Sequence, residues 1–447
     1  MLRSIFVLGP LLVAALAPRG FAQLPAELES LRKSVPGTIE CSPQGLRLPD
    51  GRELADPFPL ARALELAAPG CVIRLGAGEY GQLGIGFESR QAWNAKGAGG
   101  TPDSPVIVQA SDQARIVPRG ASDTIGVHGV VASGYIRFKN LKIEAGGRAG
   151  VLFYERPEGE AHRGYEFHDC VIDGGWDHAA KSGPHESKWG VLGHALADFV
   201  FAGVEGRAVV EDIRHEHAFY LQNPRGDLTI ENVDGHRLGR TFLQVTAREK
   251  QGPPGRGLIT VRGCRVSDIG LGEWDNYKGG SAFTFAGRLP HCTILVENNT
   301  YRAGFDKYLA QLKPRGGNYG TGALVAWDGT EKIGNGALVL IGNDFEFAPG
   351  CGDRSVVKIG ACETVRIGPG NRFVSGSSFP ALDVDPAKPG GGLENLPNGN
   401  VMLETGSTFE GGVHRNGKPQ SKADLAKWIA AAQTTEPETE SAPGEEP

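Results

Sequence analysis

Three consecutive apolar segments in the middle of the chain carry polar side chains at alternate positions. If Phe219 and Leu221 point inward, their neighbours point outward, because successive side chains of a strand face opposite sides of a sheet. The outward set then holds cations, amides, a phenol and an imidazole with a single carboxylate: Lys188, His194, Glu216, Tyr220, Gln222, Arg240, Gln244, Thr246 and Arg248. Side chains of these types can bind an anion and move a proton, so this face is the candidate site.

The same alternation predicts how these side chains stack. Adjacent strands align them in three short ladders, which are Lys188–Glu216–Arg240, Leu192–Tyr220–Gln244 and His194–Gln222–Thr246. A register shift of one residue would turn all of them inward, since side chains along a strand alternate with a period of two.

Two loops near this face place an aromatic residue beside an acid, Trp176-Asp177 and Trp274-Asp275. Either the indole rings pack on sugar rings while the acids bind hydroxyl groups, or the rings hold their loops on the scaffold. Both readings remain open from the sequence.

His215 and His217 bracket Glu216. Two histidines at this spacing lie on one face of a strand and can ligate a metal. Their positions in the alternation turn both side chains inward or into a corner, however. The sequence therefore favours a structural role and predicts no metal site.

The elements that must position these residues form a repeat. A strand, a small bend residue and a second strand recur from 136–143 to 339–345, with successive bends 29 to 45 residues apart. The bend residues are of the types that tolerate a left-handed backbone: Asn140, Asp169, Gly203, Asn232, Gly263, Asn298 and Asn343. Copies in register imply coils stacked ~4.8 Å apart, with the bends aligned in a ladder.

A third apolar strand precedes each pair, as in 241–246 and 281–285. Three strands per turn predict an all-β fold, a right-handed parallel β-helix of about ten coils over residues 71–412. Glycine fills 66 of 447 positions, which is about twice its usual share and agrees with a chain of many turns.

The segment from Pro59 to Tyr80, PLARALELAAPGCVIRLGAGEY, resembles the capping helix and first coil of the pectate-lyase-like β-helix superfamily. It is most similar to the alginate lyase and chondroitinase B branch, in which a helix is followed by Pro-Gly-Asp, an apolar strand and Gly-x-Tyr. This chain has Cys71 in place of the Asp. The resemblance implies an N-terminal cap within residues 23–70 and a polysaccharide that lies on the sheet of the third strands. No catalytic motif of those families matches, so no catalytic residue is carried over.

Three functions remain open, and a polysaccharide lyase (or an epimerase that shares its first step) acting on a uronate-containing glycan is the leading one. Elimination requires a neutralised uronate carboxylate and a base. Arg240 and Gln244 would neutralise the carboxylate, Arg248 would bind a flanking sugar, and Tyr220, Lys188 or His194 would move the proton. A Ca²⁺ ion could replace the arginine, although the sequence requires no cofactor.

The other two functions are glycoside hydrolysis and glycan binding without catalysis at a cell surface. Hydrolysis needs two carboxylates, which Glu216 and a loop aspartate, Asp177 or Asp275, would supply. A β-helix that only binds glycan would rely on its loop tryptophans.

The ends of the chain predict export. Residues 1–22 have the pattern of a secretory signal peptide, residues 413–432 hold a short helix capped by Ser421, and residues 433–447 form an acidic, disordered tail. We therefore expect a secreted or periplasmic protein, monomeric and without a membrane span. The net charge of −6 argues against nucleic acid as a partner.

Seven cysteines occur in this disulfide-permissive setting, and no two are arranged as C-x-x-C. The sequence suggests Cys41–Cys71 and Cys351–Cys362 as pairs that could form, and the odd count leaves at least one thiol free.

Overall fold

The structure is a computed structural model that describes residues 30–87, 93–119, 122–129, 133–178, 180–271, 280–304, 322–327, 333–351, 354–385 and 398–433. The predicted signal peptide and acidic tail lie outside these residues. No helix in the described ranges is long and apolar enough to cross a membrane.

Three long sheets wind around one core, as the repeat predicts, and the shortest of them gives eleven coils in the described chain. All neighbouring strands are parallel except in the hairpins at the two ends of the molecule. Each coil runs from sheet II through a bend into sheet III and then into sheet I. The protein is therefore a parallel β-helix with an N-terminal capping helix.

The strands of sheet I are Leu83–Ile85, Asn94–Ala95, Ile125–Val127, Ala149–Phe153, Trp189–His194, Phe219–Gln222, Leu243–Thr246, Ser281–Ala286, Gly322–Trp327, Val357–Ile359, Leu382–Val384, Val413–Arg415 and Lys418–Pro419.

The strands of sheet II are Thr38–Ser42, Gly45–Arg47, Glu53–Ala55, Val72–Leu75, Val106–Ala110, Ile136–Lys139, Tyr165–His168, Phe199–Ala202, Leu228–Glu231, Arg256–Arg262, Leu289–Glu297, Asn335–Ile341, Cys362–Ile367 and Asn400–Leu403.

The strands of sheet III are Gly78–Tyr80, Ala114–Ile116, Lys142–Glu144, Val171–Asp173, Ala208–Ile213, Val233–Leu238, Arg265–Ser267, Thr300–Ala303, Asp344–Phe347, Arg372–Val374 and Thr408–Glu410. A separate two-stranded sheet joins His162–Arg163 to Leu196–Ala197.

A helix closes each end of the core. The N-terminal helix Pro59–Leu66 is buried throughout. Its Glu65 forms an ion pair with Arg62 and accepts a hydrogen bond from the backbone N–H of Lys96 at 3.0 Å, which ties the helix to the first coil. The C-terminal helix Lys422–Gln433 lies over the last sheet II strand, where Trp428 Nε1 donates to the carbonyl of Val401 at 2.9 Å.

Five of the predicted bend residues have the left-handed backbone, with φ between 52° and 63°: Asn140, Asp169, Asn232, Gly263 and Asn298. The other two predictions are wrong. Gly203 begins a longer turn in which the N–H groups of Val204, Glu205 and Gly206 donate to the Asp169 carboxylate. At the other bend, Gly342 is the left-handed residue (φ 65°), one position before Asn343.

Asn343 instead belongs to a ladder of buried amides just after the bends. Its Oδ1 accepts hydrogen bonds from Asn299 at 3.1 Å, and its Nδ2 donates to Asn371 Oδ1 at 3.0 Å. Asn299, Asn343 and Asn371 are at most 1% exposed. Each amide therefore forms hydrogen bonds with the amide in the next coil, which keeps the coils in register.

The suggested disulfides are not formed, and all seven cysteines are free thiols. Cys41 lies opposite Leu75 in the neighbouring strand, whereas Cys71 precedes Val72 at the other end of that strand. Four strand residues span ~13 Å, which is more than the ~7 Å between Cα atoms that a disulfide permits. Cys351 and Cys362 belong to different faces, after a sheet III strand and at the start of a sheet II strand.

Replacement of Asn232 by valine tests the bend ladder. Asn232 has φ 52° and its Nδ2 donates to the carbonyl of Gly203 at 3.1 Å. We expect Asn232→Val to lower the free energy of unfolding by ~1–2 kcal/mol, because a β-branched residue is strained in this conformation. Asn232→Gly keeps the conformation and is the control. Equal denaturation midpoints for the valine variant and the wild type would contradict the assignment.

Candidate functional site

The three predicted ladders occur on the outer face of sheet I in the predicted register. Tyr220 lies between Leu192 and Gln244 in adjacent strands. Gln222 pairs in the same way with His194 and Thr246. At the corner before these strands, the backbone N–H of Glu216 donates to Lys188 and that of Arg240 donates to Glu216, at 3.0 and 2.8 Å. The structure thus brings most of the predicted residues together.

His217 connects three members of the ladders from below. Its ring is 2% exposed and stacks on the ring of Tyr220, with centroids 5.0 Å apart and an interplanar angle of 15°. Its Nε2 lies 2.8 Å from Gln244 Oε1, and its Nδ1 lies 3.3 Å from Glu216 Oε2. The structure therefore gives His217 a supporting role beneath Tyr220, in line with the structural alternative.

Glu216 and Arg240 form an ion pair, with Nη1 3.3 Å from Oε2. Burial opposes ionisation of Glu216, but contacts with His217 and Arg240 outweigh it and lower its pKa. The carboxylate is therefore ionised at neutral pH and pairs with the guanidinium of Arg240.

Arg248 holds the outer edge of Tyr220. Its Nη2 donates to the phenolic oxygen at 2.9 Å, and its backbone N–H donates to Asn223 Oδ1 at 2.8 Å. Arg248 is exposed, and no carboxylate of the described residues forms an ion pair with it. A cation and a phenol thus meet at the surface beside the Gln244 amide.

His194 borders a pocket of about 260 Å³ next to the ladders, with walls from the loops at 155–158 and 249–252. Burial lowers the pKa of His194, and the charges of Arg148 and Arg248 lower it further, while Glu155 opposes them. The imidazole is therefore neutral at pH 7 and can accept a proton. The wall residues were not predicted individually, but both loops are among the long connections that interrupt the repeat, and long loops are where function is usually carried.

Other predicted residues are less suited to contact a ligand. Gln222 and Thr246 are 6% and 5% exposed, and Thr246 Oγ1 donates to the carbonyl of Ala286 at 2.8 Å. Gln222 and Thr246 therefore line the floor of the site from beneath. Lys188, in contrast, is exposed at the corner.

The tryptophan predictions have different outcomes. Trp176 is 5% exposed, and the guanidinium of Arg214 lies 4.1 Å from its ring centroid. This position corrects the sugar-stacking interpretation, because the covered ring holds its loop on the scaffold. Trp274 and Asp275 lie outside the described residues.

One group of carboxylates in the described chain is compact enough for a metal ion, and it comprises Asp173, Glu211 and Asp212 on sheet III. Arg237 is paired with both Glu211 and Asp212, and Lys142 Nζ lies 3.1 Å from Asp173. Cations of the chain already neutralise this group, and it is on a different face from Tyr220. The group does not fit a Ca²⁺ ion that acts at the candidate site.

His162 offers a test of the electrostatics beneath the site. It is 2% exposed, its Nε2 lies 2.9 Å from the carbonyl of Tyr154, and burial lowers its pKa to about 4. The unfolded chain binds this proton near the ordinary ~6.5, so the stabilisation is complete above that pH and is lost as the pH falls toward 4.

We therefore expect the free energy of unfolding of the wild type to fall relative to that of His162→Gln by about 3 kcal/mol between pH 7 and pH 4. Denaturant titrations at several pH values measure this difference. The exposed His291→Gln is the control. A difference that does not change with pH would show that His162 remains solvated.

Comparisons with known proteins relate this chain to others through its fold. No family model matches the chain, and no curated protein matches it in sequence. Among solved structures, an alginate lyase from Paenibacillus sp. str. FPU-7 aligns with 86% of this chain and 99% of its own, at a TM-score of 0.44 and 10% identity.

Two other solved structures align over similar lengths of this chain. Pectate lyase Pel9A covers 88% of it and 83% of its own chain, at a TM-score of 0.34 and 14% identity. The PL6 family alginate lyase AlyGC covers 87% and 56%, at a TM-score of 0.33 and 12% identity.

Proposed function

We propose that this protein is a polysaccharide lyase that cleaves a uronate-containing glycan by β-elimination. The observation that carries the proposal is the hydrogen bond between Tyr220 and Arg248, exposed on the outer face of sheet I next to Gln244. This pair joins a proton-transfer group to a cation that forms no ion pair with a carboxylate of the described residues. Elimination requires both kinds of group.

The contacts redistribute the roles expected from the sequence. Arg240 is engaged by Glu216, so Arg248 is the better ligand for the substrate carboxylate. With His217 in the Nε2–H tautomer, its donation to Gln244 Oε1 leaves the amide N–H groups of Gln244 to donate to the same carboxylate. Arg240, Glu216 and His217 then act as positioning residues behind these two.

The proton moves through Tyr220. With the carboxylate neutralised, the phenolate of Tyr220 takes the α-proton at C5, the C4–C5 double bond forms, and the bond from C4 to the glycosidic oxygen breaks. Tyr220 returns that proton to the leaving oxygen, so the products are a 4,5-unsaturated uronate and a new chain end. The hydrogen bond from Arg248 Nη2 at 2.9 Å orients the phenolic oxygen for this transfer.

Tyr220→Phe tests this role. The change removes one oxygen but keeps the ring stacked on His217, so we expect turnover to fall by ~10²–10⁴-fold while the fold and the glycan affinity are retained. The rate is measured as ultraviolet absorbance of the unsaturated product on alginate, pectate, chondroitin, heparin-like and neutral glycans. Tyr135→Phe, outside this face, is the matched control. Wild-type turnover in Tyr220→Phe would overturn the assignment.

A glycoside hydrolase is the second candidate, because three glutamates line the pocket beside His194: Glu155, Glu158 and Glu249. Two of these could supply the acid and the base that hydrolysis needs. New reducing ends without the absorbance of an unsaturated sugar, lost in Glu249→Gln but kept in Tyr220→Phe, would favour the hydrolase over the lyase.

A further inference from the structure

Aromatic side chains cover the outer face of sheet I on the N-terminal side of Tyr220. Phe87 lies 4.7 Å from His128 and 5.5 Å from Trp93, and His128 lies 5.1 Å from Tyr154, measured between ring centroids. All four are partly exposed. We call Phe87, Trp93, His128 and Tyr154 the aromatic platform.

The sheet beneath the platform is adapted to carry it. Gly84 and Gly126 occupy neighbouring outer positions of sheet I. A Cβ at Gly84 would collide with the ring of Trp93, and one at Gly126 would come within 3.3 Å of Phe87. The rings therefore rest directly on the backbone. Tyr154 is fixed by a hydrogen bond of 3.2 Å from its hydroxyl to Asp123 Oδ1.

The row of outward-facing residues that runs through Leu192, Tyr220 and Gln244 changes its residue types at Tyr220. On the N-terminal side its positions are Gly126, Leu152 and Leu192, covered by the platform, Trp189 and Tyr220. On the C-terminal side the same positions hold Gln244, Thr284, Val325, Lys358 and Asp383. Apolar faces of sugar rings therefore find a surface for stacking on the N-terminal side.

A second exposed arginine stands at this platform. The guanidinium of Arg148 lies 5.4 Å from the ring centroid of Tyr154, and no carboxylate of the described residues forms an ion pair with it. Burial lowers the pKa of His194, and the charges of Arg148 and Arg248 lower it further while Glu155 opposes them. Tyr154 follows the strand of Leu152, which is two rungs, or ~10 Å, from Tyr220.

We propose that Tyr154 and Arg148 form a second uronate subsite, in which the platform stacks on the sugar ring and Arg148 binds its carboxylate. The acidic glycan then extends from Tyr220 toward the N-terminal end of the β-helix, with one carboxylate at Arg248 and another at Arg148. This subsite deepens the proposed function and depends on it for the chemistry at Tyr220, whereas binding at Arg148 can be measured without turnover.

Calorimetric titration of the Tyr220→Phe protein tests the subsite, with the disaccharide and hexasaccharide of galacturonate and of mannuronate as probes. Arg148→Gln should weaken binding of the acidic hexasaccharide about two- to fivefold, as expected for one exposed ion pair. The affinity for the disaccharide should not change, because that ligand fits at Tyr220 alone. Trp93→Ala should weaken binding of both an acidic and a neutral hexasaccharide, cellohexaose.

Arg163→Gln is the matched control. Arg163 is exposed in a neighbouring strand but is paired with Asp198 at 3.4 Å, away from the platform. If Arg148→Gln binds the acidic hexasaccharides as tightly as Arg163→Gln, the subsite is overturned, even if the wild type releases unsaturated products. If the wild type releases none but Arg148→Gln selectively loses the acidic hexasaccharides, the subsite stands and the lyase proposal fails.

Discussion

The spacing of one coil above the next is the constraint on which the rest of the structure depends. Parallel strands lie ~4.8 Å apart, and a residue faces its counterpart in the next coil only where the two coils keep the same register. The left-handed bends at Asn140, Asp169, Asn232 and Asn298 fix where each turn occurs. The amides of Asn299, Asn343 and Asn371 bond from coil to coil directly after the bends, so a slipped coil would leave buried polar groups unpaired.

This constraint acts most strongly on sheets II and III, whereas the loops that flank sheet I can vary in length. The tight bends join sheet II to sheet III, whereas the long insertions flank sheet I. Insertions there do not disturb the stacking, because each loop leaves and rejoins the same coil. Tyr220 and Gln244 therefore keep strand geometry while Arg248 reaches Tyr220 from the loop that follows its strand.

The fold and the ladders could be predicted because both follow from periodicity. Phe219 and Leu221 alternate with Tyr220 and Gln222, and the parity of one strand fixes that of its neighbours once the register is known. The exact bend position could fail by one residue, as at Gly342 and Asn343, because glycine and asparagine both suit a left-handed bend. Contacts across loops left no periodic signal, so neither the covering of Trp176 by Arg214 nor the approach of Arg148 to Tyr154 could be derived.

The distribution of charge on sheet I follows from what is buried beneath it. A carboxylate beside a guanidinium ordinarily neutralises it, and Glu216 does so with Arg240. The buried His217 supports the Tyr220 ring and contacts the Gln244 amide, and its Nδ1 lies 3.3 Å from Glu216 Oε2. Arg248 and Arg148 have no carboxylate partner among the described residues. Glu216 therefore engages Arg240, and Arg248 is the guanidinium that contacts the Tyr220 hydroxyl.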